Sequence, residues 1–173
     1  MTCPKSFGKF GFCGLLAVIY AAKLPMPANL TQLRAFFAHV KAVLSMKMST
    51  WEAAKPSNQG GISFEHTLCL LRHYNRCGFE EVLPEDWMAS STQDTHKKRN
   101  RANLARWLMC GLVPKTRYIV HVSGHAFFVA VGAVPSRWRI YDQRGVHRKA
   151  DIEMLTKQGG YGRKLLQRVL RIT

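Results

Sequence analysis

The sequence predicts an α+β domain, with helices first and an antiparallel β-sheet second, and three observations carry that prediction. Apolar residues recur at helical spacing through about the first 112 positions. From Arg117 onward the period shifts to short strand-like runs broken by Ser123-Gly124 and Pro135. The length of 173 residues, 47% hydrophobic and 21% charged, is that of one globular domain and excludes a disordered or fibrous chain. A chain of this size builds a core without disulfide staples. The expectation is a single domain over 1–173, with a helical lobe over about 1–112 and a sheet lobe over about 113–173.

The elements follow in order. Phe12 to Lys23 is apolar and stops before Pro25 and Pro27, which predicts a mostly buried helix. Lys5 and Lys9 before this run imitate a signal peptide. Ile19 and Tyr20 stand where cleavage needs small residues, which argues against secretion. No stretch reaches the 18 apolar residues of a membrane span, so no transmembrane segment is expected. Asn29 and Gln32 predict a capped second helix, along which Leu30, Leu33, Phe36, Phe37, Val40, Val43 and Leu44 recur at helical spacing. Residues 55–61 read as a loop. A third helix is expected from about Ser63 to Cys77 with Gly78 as its stop, then irregular chain over 79–95, then a fourth helix from near Thr95 to Gly111. Arg117–Val122, His125–Val131 and Trp138–Tyr141 read as strands. Residues 149–171 read as helix more than strand.

Charge is the unusual quantity: 26 Lys+Arg against 10 Asp+Glu, a formal +16. It points to an anionic partner: nucleic acid, an acidic protein face or an anionic membrane surface. Two clusters are candidates for anion or nucleic-acid binding. Lys97, Lys98, Arg99 and Arg101 open the fourth predicted helix, and Arg163, Lys164, Arg168 and Arg171 fall at spacings that share one face of a helix. No base-reading motif accompanies them. The five cysteines, at 3, 13, 69, 77 and 110, include no CxxC pair. The odd count and the spacing argue against a zinc site or a disulfide framework and for a reducing compartment. His66 and His73 are two helical turns apart, too far for shared ligation, so no metal and no cofactor are expected.

One set of residues carries chemistry. Cys13, in Gly11-Phe12-Cys13-Gly14, opens the first helix, where the positive end of the macrodipole and backbone N–H groups favour the nucleophilic thiolate. His125 begins a strand and Asp142 ends the returning one. If the hairpin closes on Ala133-Val134, the two face each other directly, and a longer loop still leaves them neighbours. A carboxylate beside an imidazole fixes its tautomer and stabilises its charged form.

Cys-Gly opening an apolar helix, then Gly-His before an apolar strand, then a strand ending Tyr-Asp, resembles the papain-like cysteine peptidases in residue order and lobe order. Tyr118–Val131 also resembles small papain-like proteins of tailed bacteriophages, whereas about 25–115 matches no known pattern. The resemblance implies a cysteine peptidase or related thiol hydrolase acting on a protein or peptide. Cys13 would be the nucleophile, His125 the general base and acid, and Asp142 the orienting residue. It also implies a cytoplasmic or virion-associated protein. The family's oxyanion glutamine, about six residues before the cysteine, is replaced here by Phe7; Ser6, Lys9 and Gln59 are the candidate donors. The absent glutamine supports an alternative: a non-enzymatic, basic virion or nucleic-acid-associated protein on the same scaffold.

Overall fold

The computed structural model describes residues 12–49, 61–82, 107–122, 124–134, 137–142, 145–148 and 166–173, and these hold three α-helices and a six-stranded antiparallel sheet. The helices are α1 (Cys13–Ala21), α2 (Leu30–Lys47) and α3 (Phe64–Tyr74). The strands are β1 (Phe79–Glu81), β2 (Arg117–Val122), β3 (His125–Val131), β4 (Trp138–Asp142), β5 (Gly145–Arg148) and β6 (Leu166–Ile172). Their spatial order is β1-β6-β2-β3-β4-β5. The α+β class expected from the sequence is present. Helix α1 packs on β2, β3 and β4, α3 packs on α1 and α2, and β1 from the first half of the chain joins the sheet.

Helix α1 is apolar on all sides because it is surrounded. Gly14 to Ile19 and Ala21 are buried, and the helix packs against α2, α3 and the sheet residues Ile119, Phe128 and Leu170. At its C-terminus Lys23 takes a left-handed φ of 51°, and Leu24 N–H reaches back to Ile19 O at 3.0 Å, the Schellman arrangement that glycine usually serves. Helix α2 starts as predicted: the Asn29 side chain accepts from Gln32 N–H at 2.9 Å, and Gln32 Oε1 accepts from Ala28 N–H at 2.8 Å.

The other face of the sheet carries a second core, in which Trp107 and Leu108 of a single π-helical turn (Trp107–Gly111) cover Tyr118, Val120, Phe127, Val129 and Trp138. Both faces of β2 and β3 are therefore buried, which is why these strands read as continuous apolar runs.

Two sequence expectations are corrected. Helix α3 ends at Tyr74, stopped by Asn75 in the left-handed region at φ 44°, and not at Gly78. Gly78 lies where the chain meets its own C-terminus: Thr173 N–H donates to Gly78 O at 2.9 Å, and a Cβ on Gly78 would collide with the Thr173 hydroxyl. The chain it leads into, expected to be irregular, begins with β1. The C-terminal segment is strand β6, not helix. Leu166, Val169 and Leu170 sit at i, i+3 and i+4, which imitates a helix. In the sheet they alternate between two buried faces, and an irregularity at His121/Val122 shifts their register. The fourth helix expected from Thr95 lies mostly outside the described residues, and within them 107–111 is the π-helical turn.

Leu16→Ala is expected to lower unfolding stability by about 2–5 kcal/mol, measured by urea denaturation, because Leu16 is wholly buried between helices and sheet. Met46→Ala, at a position 73% exposed, is expected to change it by no more than about 0.5 kcal/mol.

Candidate active site

The hairpin β2–β3 closes with Val122 opposite His125, and Gly124 before His125 has φ 67°. Across a two-residue turn these closing residues exchange hydrogen bonds, so the next residue, Ala126, turns its N–H away from β2. On that far side, β3 pairs with β4 only from Phe128↔Tyr141 onward. Beyond that pair, the N-terminus of α1 lies against the first residues of β3.

Cys13 is the first residue of α1, and Phe12 before it supplies no side-chain cap. Its sulfur takes hydrogen bonds from the backbone N–H groups of Ala126 and Gly14 and contacts the His125 ring. Gly14 permits this placement. A Cβ there would come within 2.6 Å of Ile62 Cγ1 and 3.3 Å of Ile62 O, so the chain entering α3 lies directly on the first turn of α1.

The register of β3 and β4 continues Asp142 to a position opposite Phe127, not opposite His125. The hairpin loop is longer than the Ala133-Val134 closure requires, since Val131↔Trp138 is its last pair. The slip is an even number of residues, so His125 and Asp142 stay on one face as diagonal neighbours. His125 Nε2 lies 3.8 Å from Asp142 Oδ2, an ion-pair distance longer than a close hydrogen bond. Asp142 is 1% exposed. With Nε2 turned to the carboxylate, Nδ1 is the ring nitrogen available to the thiol. Cys13, His125 and Asp142 therefore form one contiguous set.

The electrostatics favour a charged pair. Burial pushes the Cys13 thiol up, but the hydrogen bond and charge of His125, with the N–H groups of Ala126 and Gly14, outweigh it and hold the thiol below its ordinary value. Burial likewise pushes His125 down, and Asp142 and Cys13 outweigh it and hold the imidazole above its ordinary value. Both shifts stabilise thiolate beside imidazolium. By contrast, burial raises Cys69 and Cys77, as expected of ordinary thiols.

Sequence reasoning missed His121. It pairs with Ala126 across the hairpin and is 7% exposed. Its Nε2 lies 3.3 Å from Thr67 Oγ1, and the Phe64 ring meets it edge-on at 5.2 Å. The single Thr67 proton goes to Ser63 O at 3.0 Å, so His121 must donate from Nε2. Burial pushes its pKa down to about 4, which favours a neutral ring, whereas His125 is held above its ordinary value. The only sequence signal was its place four residues before His125, across a two-residue turn. His66, weighed above as a metal ligand, is instead buried in a reciprocal cap: its Nδ1 accepts from Ser63 N–H at 3.0 Å.

The remaining candidates fall elsewhere. Ser6, Lys9, Gln59, Lys97, Lys98, Arg99, Arg101, Arg163 and Lys164 lie outside the described residues. Arg168 and Arg171 are on strand β6 and not on a shared helical face. Arg168 grips Glu81, with Nη2 to Oε2 at 2.7 Å, and its guanidinium lies 4.2 Å from the Phe64 ring centre. Arg171 pairs with Glu80. Both therefore fasten β6 to β1, and their charge is answered within the fold. No helix among the described residues is long and apolar enough to cross a membrane. No protein-family model matches the chain, and no curated protein is significantly similar to it.

His121 makes stability depend on pH. Its folded pKa of about 4 lies below the ordinary 6.5, so the unfolded chain takes up the proton first as pH falls. Stability is full above about pH 6.5 and declines toward pH 4. Between pH 7.5 and 4.5 the wild type is expected to lose about 2–3 kcal/mol more than His121→Gln, compared by urea denaturation.

Proposed function

We propose that the chain is a papain-like thiol hydrolase that cleaves peptide bonds through Cys13, His125 and Asp142. The observation that carries this reading is the contiguity of the three residues, with thiol and imidazole shifted in opposite senses toward the ion pair. A buried helix opening on cysteine, packed against an antiparallel sheet whose strand opens on histidine, supports the papain-like fold.

In the proposed reaction the Cys13 thiolate attacks the peptide carbonyl carbon and the oxygen takes the negative charge. The backbone N–H of Cys13 is one donor to that oxygen, and Ser6, Lys9 and Gln59 are the candidates for the second. The tetrahedral adduct collapses, the C–N bond breaks, and imidazolium His125 gives its proton to the leaving amine. Neutral His125 then takes a proton from water, whose oxygen displaces sulfur from the thioester. This releases the acid and restores the pair. Asp142 holds the ring orientation and balances its charge in each half.

Alkylation by iodoacetamide, followed residue by residue with mass spectrometry against pH, tests the pair. An ordinary thiol titrates near about 8.5. Cys13 is expected to react fast near about pH 6, while Cys69 and Cys77 do not. His125→Ala is expected to abolish the acid-range reaction, and Asp142→Asn to move its midpoint upward. Equal behaviour of Cys13, Cys69 and Cys77 would reject the reading. For the chemistry itself, hydrolysis of a fluorogenic peptide library is expected to disappear in Cys13→Ala and to fall about 100- to 10,000-fold in His125→Ala.

A further inference from the structure

A cavity of about 620 Å3 opens at the C-terminal end of α1, between that helix and strands β2, β3 and β4. It is separate from the thiol site, since Cys13 stands at the other end of α1, a helix about 13 Å long. Three aromatic rings line it in mutual contact. Tyr20 stacks on Phe128 at 5.9 Å, Tyr20 meets Tyr141 at 4.9 Å, and Phe128 meets Tyr141 at 5.8 Å.

Three cations, Lys23, Arg76 and Arg117, share the same lining, and no carboxylate is among the described residues that form it. Arg117 is held in place by donating from Nη1 to Ala21 O at 3.4 Å. Lys23 occupies a left-handed position, φ 51°, that glycine would adopt without strain. The fold thus keeps a charged side chain at the cavity where backbone geometry alone asks for none.

We infer that this cavity binds a nucleotide, with the base against the aromatic floor and phosphate held by Lys23, Arg76 and Arg117. An acidic side chain would satisfy the cations and leave the rings unused. An apolar ligand would use the rings and leave three cations facing it. A nucleotide uses both, and a cavity of this volume admits one. The formal charge of +16 draws phosphate to the chain from a distance. The nucleotide is either free in solution or one unit of a single strand.

The test uses the full chain at about 0.15 M salt, with fluorescence polarisation of a labelled single-stranded DNA 12-mer and calorimetry of free AMP. The double variant Lys23→Gly with Arg76→Gln is expected to bind the strand about tenfold more weakly or worse. The control Lys41→Gln with Lys47→Gln removes the same charge from α2 and is expected to change binding less than about twofold. Lys23→Gly is expected to keep or raise the melting temperature, so loss of binding will not reflect unfolding. Measurable AMP binding that the double variant loses assigns the site to free nucleotides. Loss for the strand alone assigns it to nucleic acid. Equal losses in both double variants, or an abasic strand or a poly-glutamate of equal charge binding as well as the DNA, would overturn the inference. The thiol reaction is unaffected by any of these outcomes.

Discussion

The seating of α1 on the open end of β3 is the constraint on which the rest of the structure depends. The helix is sealed between two other helices and the sheet, so its first residue has no freedom to drift. The strand offers an outward-turned N–H at Ala126 because the hairpin closes on Val122 and His125. A helix N-terminus and a strand end thus meet at one sulfur atom. Each supplies a hydrogen-bond donor, and the histidine that opens the strand supplies a third contact. Gly14 makes the approach possible by giving up its side-chain volume to Ile62.

Around that contact, burial and pairing oppose each other, and pairing wins. Removing a thiol and an imidazole from water disfavours charge on both. Their mutual contact, and a carboxylate that is itself fully enclosed, reverse the balance. Four residues away, burial of His121 outweighs the charge of Glu65 and brings its pKa down to about 4. Two histidines in one hairpin are therefore shifted in opposite directions for a legible reason. One faces Asp142 and a thiol; the other faces a hydroxyl and an aromatic edge.

The basic character of the chain divides in a similar way. Arg168 and Arg171 serve as fasteners between β6 and the short edge strand β1, with Glu81 and Glu80 as their anchors. An edge strand of three residues gains definition from such cross-strand pairs. The cations around the cavity beyond α1 have aromatic rings as neighbours in place of carboxylates. The two ends of one buried helix thus present different chemistry, a thiol at the first and a cationic, aromatic recess at the last.

The sequence by itself determined the buried helix after Phe12, the capped helix after Asn29 and the strands from Arg117, His125 and Trp138, because each is announced by its own periodicity or cap. It also singled out Cys13, His125 and Asp142, since a helix start and two strand ends are local signals. What the tertiary structure alone decided were features in which distant residues share one space. Leu166–Ile172 is a strand because two faces of a sheet needed covering, and no local pattern distinguishes that from a helix. Gly78 matters because Thr173 arrives beside it. The diagonal offset of Asp142 followed from a loop length that the turn residues did not specify. His121 became part of the site through Thr67, 54 positions earlier in the chain. Periodicity reports which face of an element is apolar; only packing decides which element that face will meet.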